Sequence, residues 1–167
     1  MVKRIISSVC LSTIICCTKV YHFPSEDVTQ QVIDDSFYTF KKKLDADGIK
    51  KIDTTILYVQ IFDSESNDEE RANPRLMKFH NDGYFQSRSR RTIGKDLDIY
   101  RTKKSQHYGG KYYLDKDAIF IEAFYPTTGG KSSNYTREIS KGRIYGDTIS
   151  LNIFGYKMRF VKLPMSK

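Results

Sequence analysis

The chain has 167 residues, a formal net charge of +8, 39% hydrophobic residues and 29% charged residues. That balance excludes a disordered chain, and the length allows one domain of ordinary size. The three cysteines, Cys10, Cys16 and Cys17, all lie near the start, so the body that follows has no disulfide framework, zinc knuckle or thiol nucleophile. The 12 Tyr and 10 Phe, with no Trp, suit half-buried pleated surfaces. A pI near 9.3 admits nucleic acid, a membrane surface or another anionic partner, and location has to decide among them.

The chain opens MVKRIISSVCLSTIICC, with Lys3 and Arg4 ahead of an apolar run over 5–15. As a helix that run covers about 16 Å, short of a bilayer core of roughly 30 Å. Its proportions are those of a secretory signal, but no A-x-A site follows and a cysteine pair stands where cleavage is expected. This resembles the bacterial lipoprotein signal, in which a cysteine is acylated and becomes the new N-terminus. Cleavage before Cys17 leaves the small Cys16 adjacent, whereas cleavage before Cys16 leaves the bulky Ile15. Cys17 is therefore the expected lipidation site, with Cys16 as the alternative. Residues 1–16 read as the signal and 17–26 as a tether. The resemblance implies acyl chains in a membrane, and Thr18 rather than an aspartate after Cys17 implies the outer membrane of a diderm envelope.

Val28, Val32, Phe37, Phe40 and Leu44 recur near the helical period, after Ser25-Glu26-Asp27 and before Lys41-Lys42-Lys43 and Asp47-Gly48. This spacing predicts one amphipathic helix over 27–47 packing on a sheet. Its acids weigh against a helix lying on an anionic membrane surface. Residues 54–62 (TTILYVQIF) are apolar on both alternations, as in a strand covered on both sides. The acidic run 63–70 lacks the glycine and the closing glutamate of a calcium loop and reads as solvated. Asp82-Gly83 between two strand-like runs predicts a hairpin. A weak strand over 97–101 and a loop over 103–110 follow. The runs 111–114, 118–125, 135–145, 148–153 and 156–163 turn at Asp115-Lys116-Asp117, at Gly146-Asp147 and at Phe154-Gly155. Ile149, Leu151 and Ile153 share one face, and Thr148, Ser150 and Asn152 the other, as in an antiparallel sheet with one wet side.

The expected fold is mainly β: one N-terminal helix, then eight or nine short antiparallel strands over 53–163 in a meander. Closing or nearly closing them into a barrel removes exposed edges. The phrases DKDAIFIE at 115–122, YGDTISL at 145–151 and NDGYF at 81–85, with the basic closing strand, resemble the small lipocalin-like lipoproteins of diderm bacteria. That resemblance implies a binding or envelope protein without catalysis.

Catalytic patterns are absent: no GxSxG, no HExxH and no dinucleotide glycine motif. Gly130-Lys131-Ser132 lacks the upstream glycine of a phosphate loop. His22, His80 and His107 are scattered, which does not suit a metal site. No enzyme, cofactor or metal is expected. Glu122 and Glu138 lie in strands, and Arg137 shares a face with Tyr135 and Ile139, so an inward Arg137 needs an acid or an anionic ligand and an outward one makes a surface ion pair. Arg88, Arg90, Arg91, Lys103 and Lys104 form a basic rim, which in an exported protein meets lipid phosphates or polysaccharide rather than nucleic acid. Two functions follow. One is a lipid-anchored barrel holding an apolar or amphipathic ligand in a mouth lined by Tyr100, Tyr112, Phe120, Phe124 and Tyr135, with Arg137. The other is a structural or interaction protein of the envelope with a solid core and a basic rim.

Overall fold

The computed structural model describes residues 19–22, 33–41, 43–63, 66–89, 109–127 and 134–163. The chain forms β1 (Val20–His22), α1 (Ala46–Lys51), β2 (Leu57–Ile61), α2 (Asp68–Ala72), β3 (Arg75–Phe79), β4 (Tyr84–Ser89), β5 (Gly109–Asp115), β6 (Ala118–Pro126), β7 (Asn134–Tyr145), β8 (Thr148–Ile153) and β9 (Tyr156–Leu163). The strands run β1-β7-β6-β5-β4-β3-β2-β9-β8, and β7 also pairs with β8. Strands β2 to β9 therefore close an antiparallel barrel of eight strands, and β1 is an extra strand on β7. The twelve-residue β7 accounts for this arrangement. Its second half, 141–145, pairs with β8, while its first three residues, which β8 does not reach, pair with β1. A closed sheet leaves few unpaired edges, as the alternating strands predicted.

Alternation along each strand sends one set of side chains inward. Ile52, Tyr58, Met77, Phe79, Phe85, Tyr112, Ile119, Ile121, Ile149, Leu151 and Phe160 build the interior, each buried. Tyrosine enters this core only where its hydroxyl is bonded. Tyr58 Oη accepts from Asp53 N at 2.9 Å, and Tyr112 Oη donates to His80 O at 2.9 Å. α1 seals one end of the barrel, beside the β5–β6 turn. Asp45 is its N-cap, accepting from Gly48 N at 2.7 Å, and the C-cap residue Ile52 is 0% exposed in the core. Lys51 then bonds Asp117 Oδ1 and Lys116 O, both at 2.8 Å, tying the short helix to the β5–β6 turn.

The helix expected over 27–47 is corrected by the described part of that stretch. Residues 33–41 and 43–45 hold only a 3-10 turn at Asp35–Phe37 within non-helical chain, and α-helix starts at Ala46. This segment is a strap laid on the outer wall. Ile33 and Tyr38 pack with Tyr21, Phe124 and Tyr135 in a second cluster, Phe40 meets the Tyr113 ring at 4.6 Å, and Leu44 reaches the main core. An extended strap can place apolar residues every three to five positions just as a helix does, because each contact is set by the wall beneath. The strand expected over 97–101 lies outside the described residues.

Candidate functional site

The barrel interior changes character along its axis. Near α1 it is aromatic and aliphatic. Toward the opposite end the same alternation gives the inner face Gln60 on β2, Ser87 and Ser89 on β4, Gly110 on β5, and Thr136, Glu138 and Ser140 on β7, beside Ala123, Tyr125, Ile153 and Met158, with Arg75 of β3 exposed at the rim. The strand register sets these residues side by side. Arg75 pairs with Ser89, Met77 with Ser87, Gly110 with Ala123, Ala123 with Glu138, and Tyr125 with Thr136. Gln60 Oε1 accepts from Arg75 N at 3.2 Å, and Ser140 Oγ donates to Glu138 Oε1 at 3.5 Å. Burial pushes the Tyr125 hydroxyl pKa up, Arg75 draws it down and Glu138 pushes it up, so both charges act on this hydroxyl. One acid, one base and several hydroxyls furnish donors and acceptors here. Phe154, in the β8–β9 turn, crosses this end and meets the Tyr125 ring at 4.6 Å.

A second polar constellation sits on the outer wall under the strap. Glu122 is 0% exposed. Its carboxylate accepts from Thr39 N at 2.8 and 3.0 Å, from Thr39 Oγ1 at 3.0 Å and from Phe40 N at 2.9 Å. Arg137 Nη1 stands 3.6 Å away. A buried carboxylate is tolerated only with this degree of pairing. Beside it Lys111, also buried, bonds Asp35 Oδ2 at 2.8 Å and lies over the Tyr84 ring at 4.6 Å. The Tyr38 hydroxyl is buried with no hydrogen-bond partner among the described residues, and its pKa is raised, first by burial and then by Glu122 and Asp35. These groups make a latch that holds the strap, with every acceptor of Glu122 already engaged.

The structure separates the residues expected to line one mouth. Tyr112 points into the packed half of the barrel. Phe124 and Tyr135 face outward and are covered by the strap. Phe120 is also on the outer wall, stacked on Tyr113 at 4.7 Å. Arg137 faces outward too and takes the ion-pair alternative, with Glu122 as its acid. Tyr100 lies outside the described residues. These residues do not share one face because 118–126 is apolar on both faces, and parity alone did not say which face is inside. The signal for the inner face was the run of small or polar residues at alternate positions, Ser87 and Ser89, then Gly110, then Ser140. Of the basic rim, Arg88 is on β4, while Arg90, Arg91, Lys103 and Lys104 lie outside the described residues, as do Cys16 and Cys17. Among the described residues no group of three His, Cys, Asp or Glu is arranged to hold a metal ion, and no helix is long and apolar enough to cross a membrane.

Fold and site together define a small eight-stranded antiparallel barrel, plugged at one end by a short helix and lined by small polar groups at the other. The closed barrel is the architecture that the lipocalin-like resemblance implied. Comparison with family models, with curated proteins and with solved structures gave no match.

Proposed function

We propose that the protein is a non-catalytic binding module of a bacterial cell envelope, held on the outer membrane by acyl chains on Cys17, with Cys16 as the alternative. Its ligand is a small amphipathic molecule. The polar part sits among Arg75, Glu138, Ser87 and Ser89, and the apolar part reaches toward Met77 and Ile153. The observation that carries this reading is the change of lining along the barrel axis, from a filled aromatic half to a half with small and charged side chains. A barrel serving only as a scaffold gains more by filling both halves with apolar side chains, since each buried CH₂ contributes about 0.8 kcal/mol. The polar half is a cost that ligand recognition explains.

The anionic amphiphile 8-anilinonaphthalene-1-sulfonate tests the site. The protein is expected to bind it saturably, one per chain, and both Ser87→Phe, which fills the space, and Arg75→Ala, which removes the cation, weaken binding at least tenfold. Equal dye binding in both variants, or none in the unaltered protein, contradicts the ligand site. The envelope interaction protein with a solid core then takes its place.

A further inference from the structure

We propose that the outer wall of β7, β8 and β9, together with the β8–β9 turn, is a docking surface for the phosphate headgroups of an anionic bilayer. This rests on the acylation at Cys17 proposed above, and it adds which face of the barrel meets the membrane.

The first observation is reach. Lys19 is described and lies two residues after Cys17, so an acylated Cys17 stays within about 7 Å of it along the chain. The surface next to Lys19 must therefore lie near the bilayer. Val20 pairs with Thr136, Thr136 pairs with Tyr125, and Tyr125 meets the Phe154 ring at 4.6 Å. The β8–β9 turn is thus close to the place where the chain joins the barrel.

The second observation is the apolar character of that surface. Ile139 is 48% exposed and Tyr145 58% on the outer wall of β7, and Phe154 at 51% and Tyr156 at 72% lie at the β8–β9 turn. Tyr156 stands directly opposite Ile153 across the turn. Phe154 has φ 52, a left-handed conformation that a bulky residue adopts at a cost. Asparagine or glycine suits that position better, so keeping an exposed phenyl ring there works against folding and calls for another explanation.

The third observation is charge. Lys141 pairs with Asn152 and Asn152 with Lys157, giving a row across three strands, and Arg143 lies one inward–outward repeat along β7 from Lys141. All three cations are exposed, and among the described residues none of them is in an ion pair. They border an open depression of about 300 Å³ that also takes in Tyr145, Ser150 and Asn152 and contains no acid. Lysine and arginine beside exposed aromatic rings form a surface suited to the interfacial zone of a bilayer, where rings sit at headgroup depth and cations meet phosphate.

The test uses the acylated protein in vesicles of phosphatidylcholine, with and without 30% phosphatidylglycerol. A mature chain that begins at the lipidated Cys17 has no free thiol, so single substitutions carry an environment-sensitive nitrobenzoxadiazole label. The label on Tyr156→Cys is expected to rise in emission at least twofold on the anionic vesicles and to be quenched by a nitroxide lipid. On Lys50→Cys, beside the plugged end, it stays at its aqueous level. Adding Lys141→Glu and Lys157→Glu to Tyr156→Cys abolishes the rise. Phe154→Asn raises Tm while reducing the rise. A lipidated protein whose position 156 label stays aqueous overturns the docking surface and leaves the anchor standing. An unlipidated mature chain, seen by mass spectrometry, overturns both. A rise that survives the double charge reversal overturns headgroup recognition.

Discussion

Glu122 shows how one side chain organises a wall. Its carboxylate takes two backbone N–H groups and one hydroxyl from Thr39 and Phe40, and Arg137 adds a nearby positive charge. Glu122→Gln keeps the shape but puts an NH₂ group against N–H donors. It is expected to cost about 2–4 kcal/mol, the range for breaking a buried charged hydrogen-bond cluster, read as a lower urea midpoint. An unchanged midpoint contradicts the latch. The buried phenols give a second expectation. Tyr38, Tyr58, Tyr112 and Tyr125 all have raised pKa values, with burial the first cause in each. A raised pKa means that the folded state holds its proton after the unfolded state has lost it. The stability this contributes is fully present below the unfolded value of 10.0 and is lost as pH rises beyond it. An absorbance titration at 295 nm should therefore show exposed tyrosines ionising reversibly first. The buried ones follow in a later step that coincides with loss of the fold, and a single smooth titration of every tyrosine counts against this. From the sequence, Glu122 was visible only as an acid in a strand, because its donors come from a segment some eighty residues away.

At the level of elements, the hairpins were legible and the strap was not. Asp82-Gly83, Gly146-Asp147 and Phe154-Gly155 are local signals, and each sits where its turn is built, with Gly83 at φ 85, Gly146 at φ 56 and Gly155 at φ 81. The stripe of Phe37, Phe40 and Leu44 was equally regular but arises from contacts with the barrel wall, and periodicity cannot tell a wall contact from a helix face. Asp47-Gly48, which looked like a helix stop, lies inside α1 instead, with Asp45 capping its start. Glycine also sets how closely strands approach. A Cβ on Gly110 would lie 2.0 Å from Glu122 O on β6. Gly110→Ala must push β5 off β6 beside the latch, and is expected to lower stability by about 1–3 kcal/mol, the usual scale for overpacking. Hydrogen exchange checks it: amides of 110–113 and 120–123 should lose protection before those of β8 and β9. Loss spread evenly over all strands contradicts a local clash.

For the whole molecule, closure, plug and strap divide the labour. α1 and Ile52 seal one end, the strap covers the wall of β5, β6 and β7, and the opposite end keeps small polar groups beside Phe154. The barrel class was legible because alternation, turns and strand number need no long-range knowledge. The position of the site was not, since it depends on which face turns inward and on the register that sets Arg75, Tyr125 and Glu138 together. The β8–β9 turn of the proposed bilayer surface lies at this same end, where Phe154 meets the Tyr125 ring.

Native mass spectrometry of the protein, gently extracted from the membranes of cells that make it, tests the central claim most directly. The account predicts a chain beginning at Cys17, or at Cys16, carrying acyl mass, with one small amphipathic molecule per barrel that is lost in Ser87→Phe. A chain that keeps Met1, bears no acyl group and carries no bound molecule contradicts it.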